Sequence, residues 1–157
     1  MKTRIYERFK ALREAGELGI VAYITAGDPS RDATLKFVLT LAAAGADVIE
    51  LGVPFSDPLA DGPTIQRASE RALKSGTTLA GVLDLVSRIR LSSQVPLVLF
   101  SYYNPILQMG LEKFASTAEA AGADGVLATD LTPEESADFR RILCARQWMW
   151  VLQEKSC

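Results

Sequence analysis

Residues 42–52 read AAAGADVIELG, and residues 119–130 read EAAGADGVLATD. Each segment ends a run of small residues with Gly-Ala-Asp and passes into a short apolar run, so one unit, a helix end followed by a strand, occurs twice. In the first copy a helix is expected over residues 31–44, with Leu35, Val38, Leu39, Leu41 and Ala42 on one broad face and Gly45 just past its end. The strand follows at 46–52 and opens into a turn-dense loop, VPFSDPLADGP, at 53–63.

Working outward, the same alternation continues. GIVAYIT at 19–25 reads as a buried strand ended by Gly27-Asp28-Pro29. Pro63 suits the first position of a helix carrying Ile65, Ala68, Ala72 and Leu73, and Thr78 precedes another with Val82, Leu85, Val86 and Ile89. VPLVLFSYYNP, from residue 95, supplies a third strand ending in aromatics, residues 111–121 a helix, and 124–130 a fourth strand. Thr132-Pro133-Glu134-Glu135 is expected to cap a further helix with Pro at its first position, and residues 149–152 form a fifth strand. Strand and helix in strict alternation imply parallel strands with right-handed crossovers, in either a doubly wound sheet or a (β/α)8 barrel. The internal echo favours the barrel. A complete one takes about 200 to 250 residues, so residues 1–146 are read as the N-terminal part of an incomplete TIM barrel and 147–157 as a tail of different character.

Composition narrows the chemistry. Of the 157 residues 48% are hydrophobic and 23% charged, which suits one domain, and the net charge of -2 offers no attraction to nucleic acid or an anionic membrane. Histidine is absent, which excludes Ser-His-Asp and Cys-His mechanisms and imidazole metal sites. Cys144 and Cys157 lie outside any CxxC spacing, so neither a disulfide framework nor a zinc knuckle is implied and a reducing compartment is expected. The N-terminal residues form an amphipathic pattern on Ile5, Phe9 and Leu12, with no continuous signal core, and no apolar run approaches the roughly 18 to 20 residues of a membrane span. There is no GxGxxG and no P-loop.

Reactive groups in parallel α/β folds collect at the carboxyl ends of strands. Glu50 stands near the end of a strand expected to be buried on both faces. Burial away from a cation raises a carboxyl pKa toward neutrality, as a general acid/base requires; the alternative is a rim carboxylate paired with Lys or Arg. Asp57 and Asp61 lie in the following loop, in which Pro54, Pro58, Phe55 and Gly62 make the chain stiff enough to hold a second carboxylate over the same place; turn and cap roles are the alternative. Tyr102, Tyr103 and Asn104 end the third strand, where packing at the barrel mouth also accounts for them. Asp28 and Asp130 read as turn or cap residues.

The stretch IELGVPFSDPLADGPTIQ, residues 49–66, resembles the signature of the tryptophan synthase alpha subunit family, and YITAGDP at 23–29, SYYNP at 101–105 and the segment from Gly125 through Ser136 resemble it too. The resemblance runs from about residue 1 to 146. It implies a (β/α)8 barrel, and a lyase of tryptophan biosynthesis that splits indole-3-glycerol phosphate by retro-aldol cleavage into indole and glyceraldehyde 3-phosphate. It also implies no metal or organic cofactor. Indole would pass to a beta subunit, which carries PLP, in an α2β2 assembly in the cytoplasm, or in a plastid for a plant source. By the same resemblance Glu50 is the general acid/base at indole C3 and Asp61 the carboxylate on the indole N–H. Tyr23, Phe100, Tyr102, Leu127 and Thr129 line the indole pocket, and Pro54, Phe55, Asp57, Asn104 and Pro105 contact the beta subunit.

After Arg146 the family pattern would continue with Gly and about a hundred further residues, including the glycine-rich loops that bind phosphate. Phosphate binding orients the substrate, so its loss is expected to depress turnover as well as affinity. The alternative function is therefore a catalytically impaired fragment that acts at most as a binding partner of the beta subunit.

Overall fold

A computed structural model describes residues 3–146 and, as a strand, 149–150. The remainder of the expected tail, including the end of the fifth strand, lies outside the described residues. Elements follow the chain as α1 (Arg4–Ala15), β1 (Val21–Thr25), α2 (Arg31–Ala43), β2 (Val48–Gly52), α3 (Pro63–Lys74), α4 (Leu79–Arg90), β3 (Leu97–Ser101), α5 (Tyr103–Met109), α6 (Leu111–Ala121), β4 (Gly125–Ala128), α7 (Ala137–Ala145) and β5 (Met149–Trp150). The five strands are parallel and lie in sheet order β1-β2-β3-β4-β5.

That order decides between the two architectures. A doubly wound sheet reverses direction at a switch point, whereas here each strand joins the sheet beside its predecessor, and α2 packs on α4, α4 on α6 and α6 on α7. The helices form one layer around one face, the winding of a (β/α)8 barrel, in line with the sequence reading. Two-residue alternation sorts the strand side chains. Ile49, Leu51, Leu97, Leu99 and Val126 are wholly buried in the main core with Val82, Leu85, Val86, Ile89 and Phe114 of the helices. Each such aliphatic side chain contributes about 1.5–3 kcal/mol by leaving water. On the opposite, concave face Val48 and Val98 meet Ile5 of α1, with Leu127 against them. Thus α1 covers the end of the sheet where the strands begin.

The repeated Gly-Ala-Asp has a structural explanation. Asp47 and Asp124 each stand just before a strand and accept a backbone N–H from the start of the preceding one, Ile20 at 2.6 Å and Leu97 at 2.9 Å. Each also takes an arginine of α1: Arg8 donates to Asp47 at 2.5 Å and Arg4 to Asp124 at 2.8 Å. Arg90, only 10% exposed, completes the set on Asp124 at 2.6 Å. Residues one turn apart on α1 therefore engage two strands.

Two local expectations change. The chain after β4 does not enter a helix at Pro133; residues 133–136 form a turn in which the Ser136 hydroxyl donates to the Pro133 carbonyl, and α7 starts at Ala137. Side-chain to backbone bonding of this kind competes with helix formation. The aromatic end of β3 is followed at once by a helix, α5, that the sequence did not announce. Its first amide, Tyr103 N, is capped by Asp130 from 27 positions away at 2.6 Å, and Pro105 sits in the first turn, where no amide is needed.

The Asp47 carboxyl is held below the usual carboxylate range, first by the Ile20 amide and then, against the opposing effect of burial, by Arg8. The unfolded chain therefore takes up the proton more readily, so this contribution to stability is complete above about pH 5 and disappears as pH falls through the folded pKa. Urea unfolding should show that acid loss, and Asp47→Asn should flatten it while lowering stability at pH 7.

Candidate active site

Glu50 occupies the third position of β2, between the buried Ile49 and Leu51, and so points to the concave face. Its register partners are Tyr23 on β1 and Val98 on β3. Half-buried, it has no ion-pair or hydrogen-bond partner among the described residues, and burial raises its pKa above the ordinary value. The rim ion pair expected as the alternative is therefore not formed.

Tyr23 lies beside it. The ring packs edge-on against Phe100 at 5.3 Å, and the hydroxyl sits over Gly52, where a Cβ would come within 2.1 Å of it. Only glycine leaves that space. The hydroxyl lies 3.5 Å from the Thr25 Oγ1. Its pKa is raised first by burial and further by the charges of Asp61 and Glu50, so both carboxylates act on one hydroxyl. Phe100 is in register with Leu127 on β4, and both are half-buried on the concave face. Thr129 caps the strand end: its amide donates to the Ser101 carbonyl at 3.0 Å and its hydroxyl to the same oxygen at 3.4 Å.

Asp61 reaches this face from the loop after β2. Val53 N donates to the Phe100 carbonyl at 2.8 Å, which continues the sheet, and the loop ends in a turn in which Asp61 N donates to Pro58 O at 3.1 Å. Tyr102, 5% exposed, supports that turn from behind: its hydroxyl donates to Asp61 Oδ2 at 3.2 Å and accepts from Ala60 N at 2.9 Å. Its ring stacks on Phe55 at 5.1 Å. Tyr102 is thus both packed at the strand end and hydrogen-bonded to Asp61. Asp28 forms a two-pronged pair with Arg71 at 2.8 and 2.6 Å, tying the loop after β1 to α3.

Of the residues implied as partner contacts, Pro54, Phe55 and Asp57 belong to this loop and Asn104 and Pro105 to α5. Asp57 and Asn104 are exposed, Phe55 and Pro105 half-buried, and Pro54 buried. Phe55, Asp57, Leu59, Gln66, Glu70 and Leu73 are among the residues lining a cleft of about 290 Å³ there. Sequence reading missed two supports of the site. Gly52 acts through an absent side chain, and Gln66 closes the quoted signature stretch yet reads there as a helix-surface residue.

Comparison with known proteins agrees with this geometry. The family model described as tryptophan synthase alpha chain matches residues 9–152. This chain belongs to that family. The tryptophan synthase alpha chain of Citrifermentans bemidjiense is 57% identical over 138 residues, which are 88% of this chain and 52% of that relative. That of Geobacter sulfurreducens is likewise 57% identical with the same coverage. Among solved structures, the alpha subunit of Legionella pneumophila superposes with a TM-score of 0.93 at 40% identity, covering 96% of this chain and 58% of that one. A tryptophan synthase complex of Pyrococcus furiosus matches with a TM-score of 0.81 at 42% identity, over 84% of this chain and 55% of that one. The chain thus spans about half the length of the curated relatives it matches. No helix among the described residues is long and apolar enough to cross a membrane.

A carboxyl whose folded pKa is raised destabilises the fold once pH exceeds its unfolded value, because the charge must be carried in a poorer environment. Glu50→Gln is accordingly expected to melt above the unsubstituted chain at pH 8, with the difference vanishing near pH 4. A thermal melt at both pH values checks the sign.

Proposed function

We propose that this chain carries the acid/base apparatus of an indole-3-glycerol phosphate lyase and cleaves that substrate by a retro-aldol reaction to indole and glyceraldehyde 3-phosphate. The observation that supports it most is Glu50, half-buried with a raised pKa and without a cation among the described residues, facing the same side as Asp61. A carboxyl held protonated nearer neutrality can deliver its proton to indole C3. The carbon–carbon bond to the glycerol chain then breaks, its electron pair returning to the ring. The glycerol hydroxyl on the departing carbon loses its proton to the Glu50 carboxylate and becomes the aldehyde. Atoms and charge balance with no external oxidant. Asp61 accepts a hydrogen bond from the indole N–H and opposes the positive charge that develops on the ring, where exclusion of water makes such an interaction most effective. Tyr23, Phe100 and Leu127 provide the wall against which the bicyclic ring lies, with Tyr102 and Thr129 behind it.

On this reading the lyase step needs no metal and no organic cofactor. The beta subunit, which holds PLP, docks on the face formed by Phe55, Asp57, Asn104 and Pro105, with Pro54 buried beneath it, and the setting is the cytoplasm. The exposed outer loop also supports a second reading, in which the chain acts only as a beta-subunit binding partner.

Two measurements separate these. Purified chain incubated with indole-3-glycerol phosphate should release indole only at a depressed rate, and Glu50→Gln should lower that rate by about 10²-fold or more; release no higher than that of the variant counts against the lyase. Co-purification with a beta subunit should be lost in Asp57→Arg, and failure of the unsubstituted chain to co-purify removes the docking face.

A further inference from the structure

Asp61 can serve the indole nitrogen only if its carboxylate is held still, and the turn that carries it is a four-residue segment, Pro58-Leu59-Ala60-Asp61, exposed at Leu59 and Ala60. Tyr102 accounts for one oxygen of the carboxylate and for the Ala60 amide. The carbonyls at the two ends of the turn are held by a different side chain. Gln66, on the first turns of α3, folds back so that its Nε2 donates to the Asp61 carbonyl at 2.9 Å and lies 3.4 Å from the Pro58 carbonyl. Both acceptors are carbonyl oxygens, so only the amide nitrogen can face them and the orientation of the side chain is not arbitrary.

We propose that Gln66 is a positioning residue for Asp61: its two N–H groups clamp the first and last carbonyls of the turn and aim the carboxylate across the site. The inference rests on the role of Asp61 given under Proposed function. A glutamate of the same shape would set a charge against two carbonyl oxygens and offer no donor at neutral pH, which is why the clamp requires glutamine. Among the described residues Asp61 Oδ1 takes no hydrogen bond, so the clamp leaves one oxygen for a ligand. Gln66 also lines the outer cleft with Phe55, Asp57 and Leu59, and stands between the exposed face of the loop and the site.

The test uses amide hydrogen exchange on the 157-residue chain together with the ¹³C resonance of the Asp61 carboxyl. Gln66→Glu, which removes the donors and adds charge, and Gln66→Met, which removes them without charge, should each lower protection of the Ala60 and Asp61 amides about tenfold. Both should move the Asp61 resonance and leave the Leu51 and Leu99 amides as they were. Unchanged protection of the turn, a stationary carboxyl resonance, or an equal loss in the strands overturns the proposal, the last because it would make Gln66 a support of the whole fold. In the indole assay both variants should lose kcat with little change in KM. A chain that releases no indole would defeat the lyase reading, while the exchange result still decides the role of Gln66.

Discussion

The site depends on the alternation of side chains along β2. Ile49 and Leu51 are wholly buried against the helices, and β2 is hydrogen-bonded on both sides, to β1 and to β3. A strand so held cannot turn about its axis without breaking two ladders and exposing two aliphatic side chains, a loss of several kcal/mol. Glu50 therefore faces the concave side of the sheet regardless of its own preference for water. Its raised pKa follows from that placement, because the desolvation is imposed by the packing of its neighbours.

A fixed strand is useful only in a frame whose other parts hold their register. Asp47 and Asp124 supply this at the end of the sheet away from the site. Each joins the start of one strand to the entry of the next and to an arginine of α1, and a backbone N–H donated to an ionised carboxylate is among the stronger hydrogen bonds available to a protein. The buried ends carry the charge pairs, while Glu50 and the loop that bears Asp61 lie toward the opposite ends. Stability and chemistry are thus separated along the same strands, and loops at the reactive end can differ without disturbing the core.

That separation explains what was legible. Strand and helix alternation, the barrel winding and the placement of Glu50 follow from apolar periodicity, which acts over a few residues, and family resemblance in the 49–66 stretch matched the comparisons. Helix α5 was missed because its cap, Asp130, comes from the end of another strand. The turn at 133–136 was misread because Pro133 and two acidic residues have the same appearance in a turn as in the first turn of a helix. The resemblance implied a pocket place for Tyr102 but not the hydrogen bonds of its hydroxyl to the loop backbone and to Asp61, a partnership between residues 41 and 42 positions apart.

By itself, the sequence determined the alternation of strands and crossover helices, the parallel sheet and the presence of Glu50 at a strand end with Asp61 in the loop after it, since each of these is set by neighbours in the chain. Only the tertiary structure decided that Glu50 has no cation beside it among the described residues, that Tyr23 fits because position 52 has no Cβ, and that Asp61 is hydrogen-bonded by Tyr102 and Gln66. Those facts depend on which distant side chains share one small volume. Packing and hydrogen-bond geometry select that arrangement, and a linear pattern carries no distances.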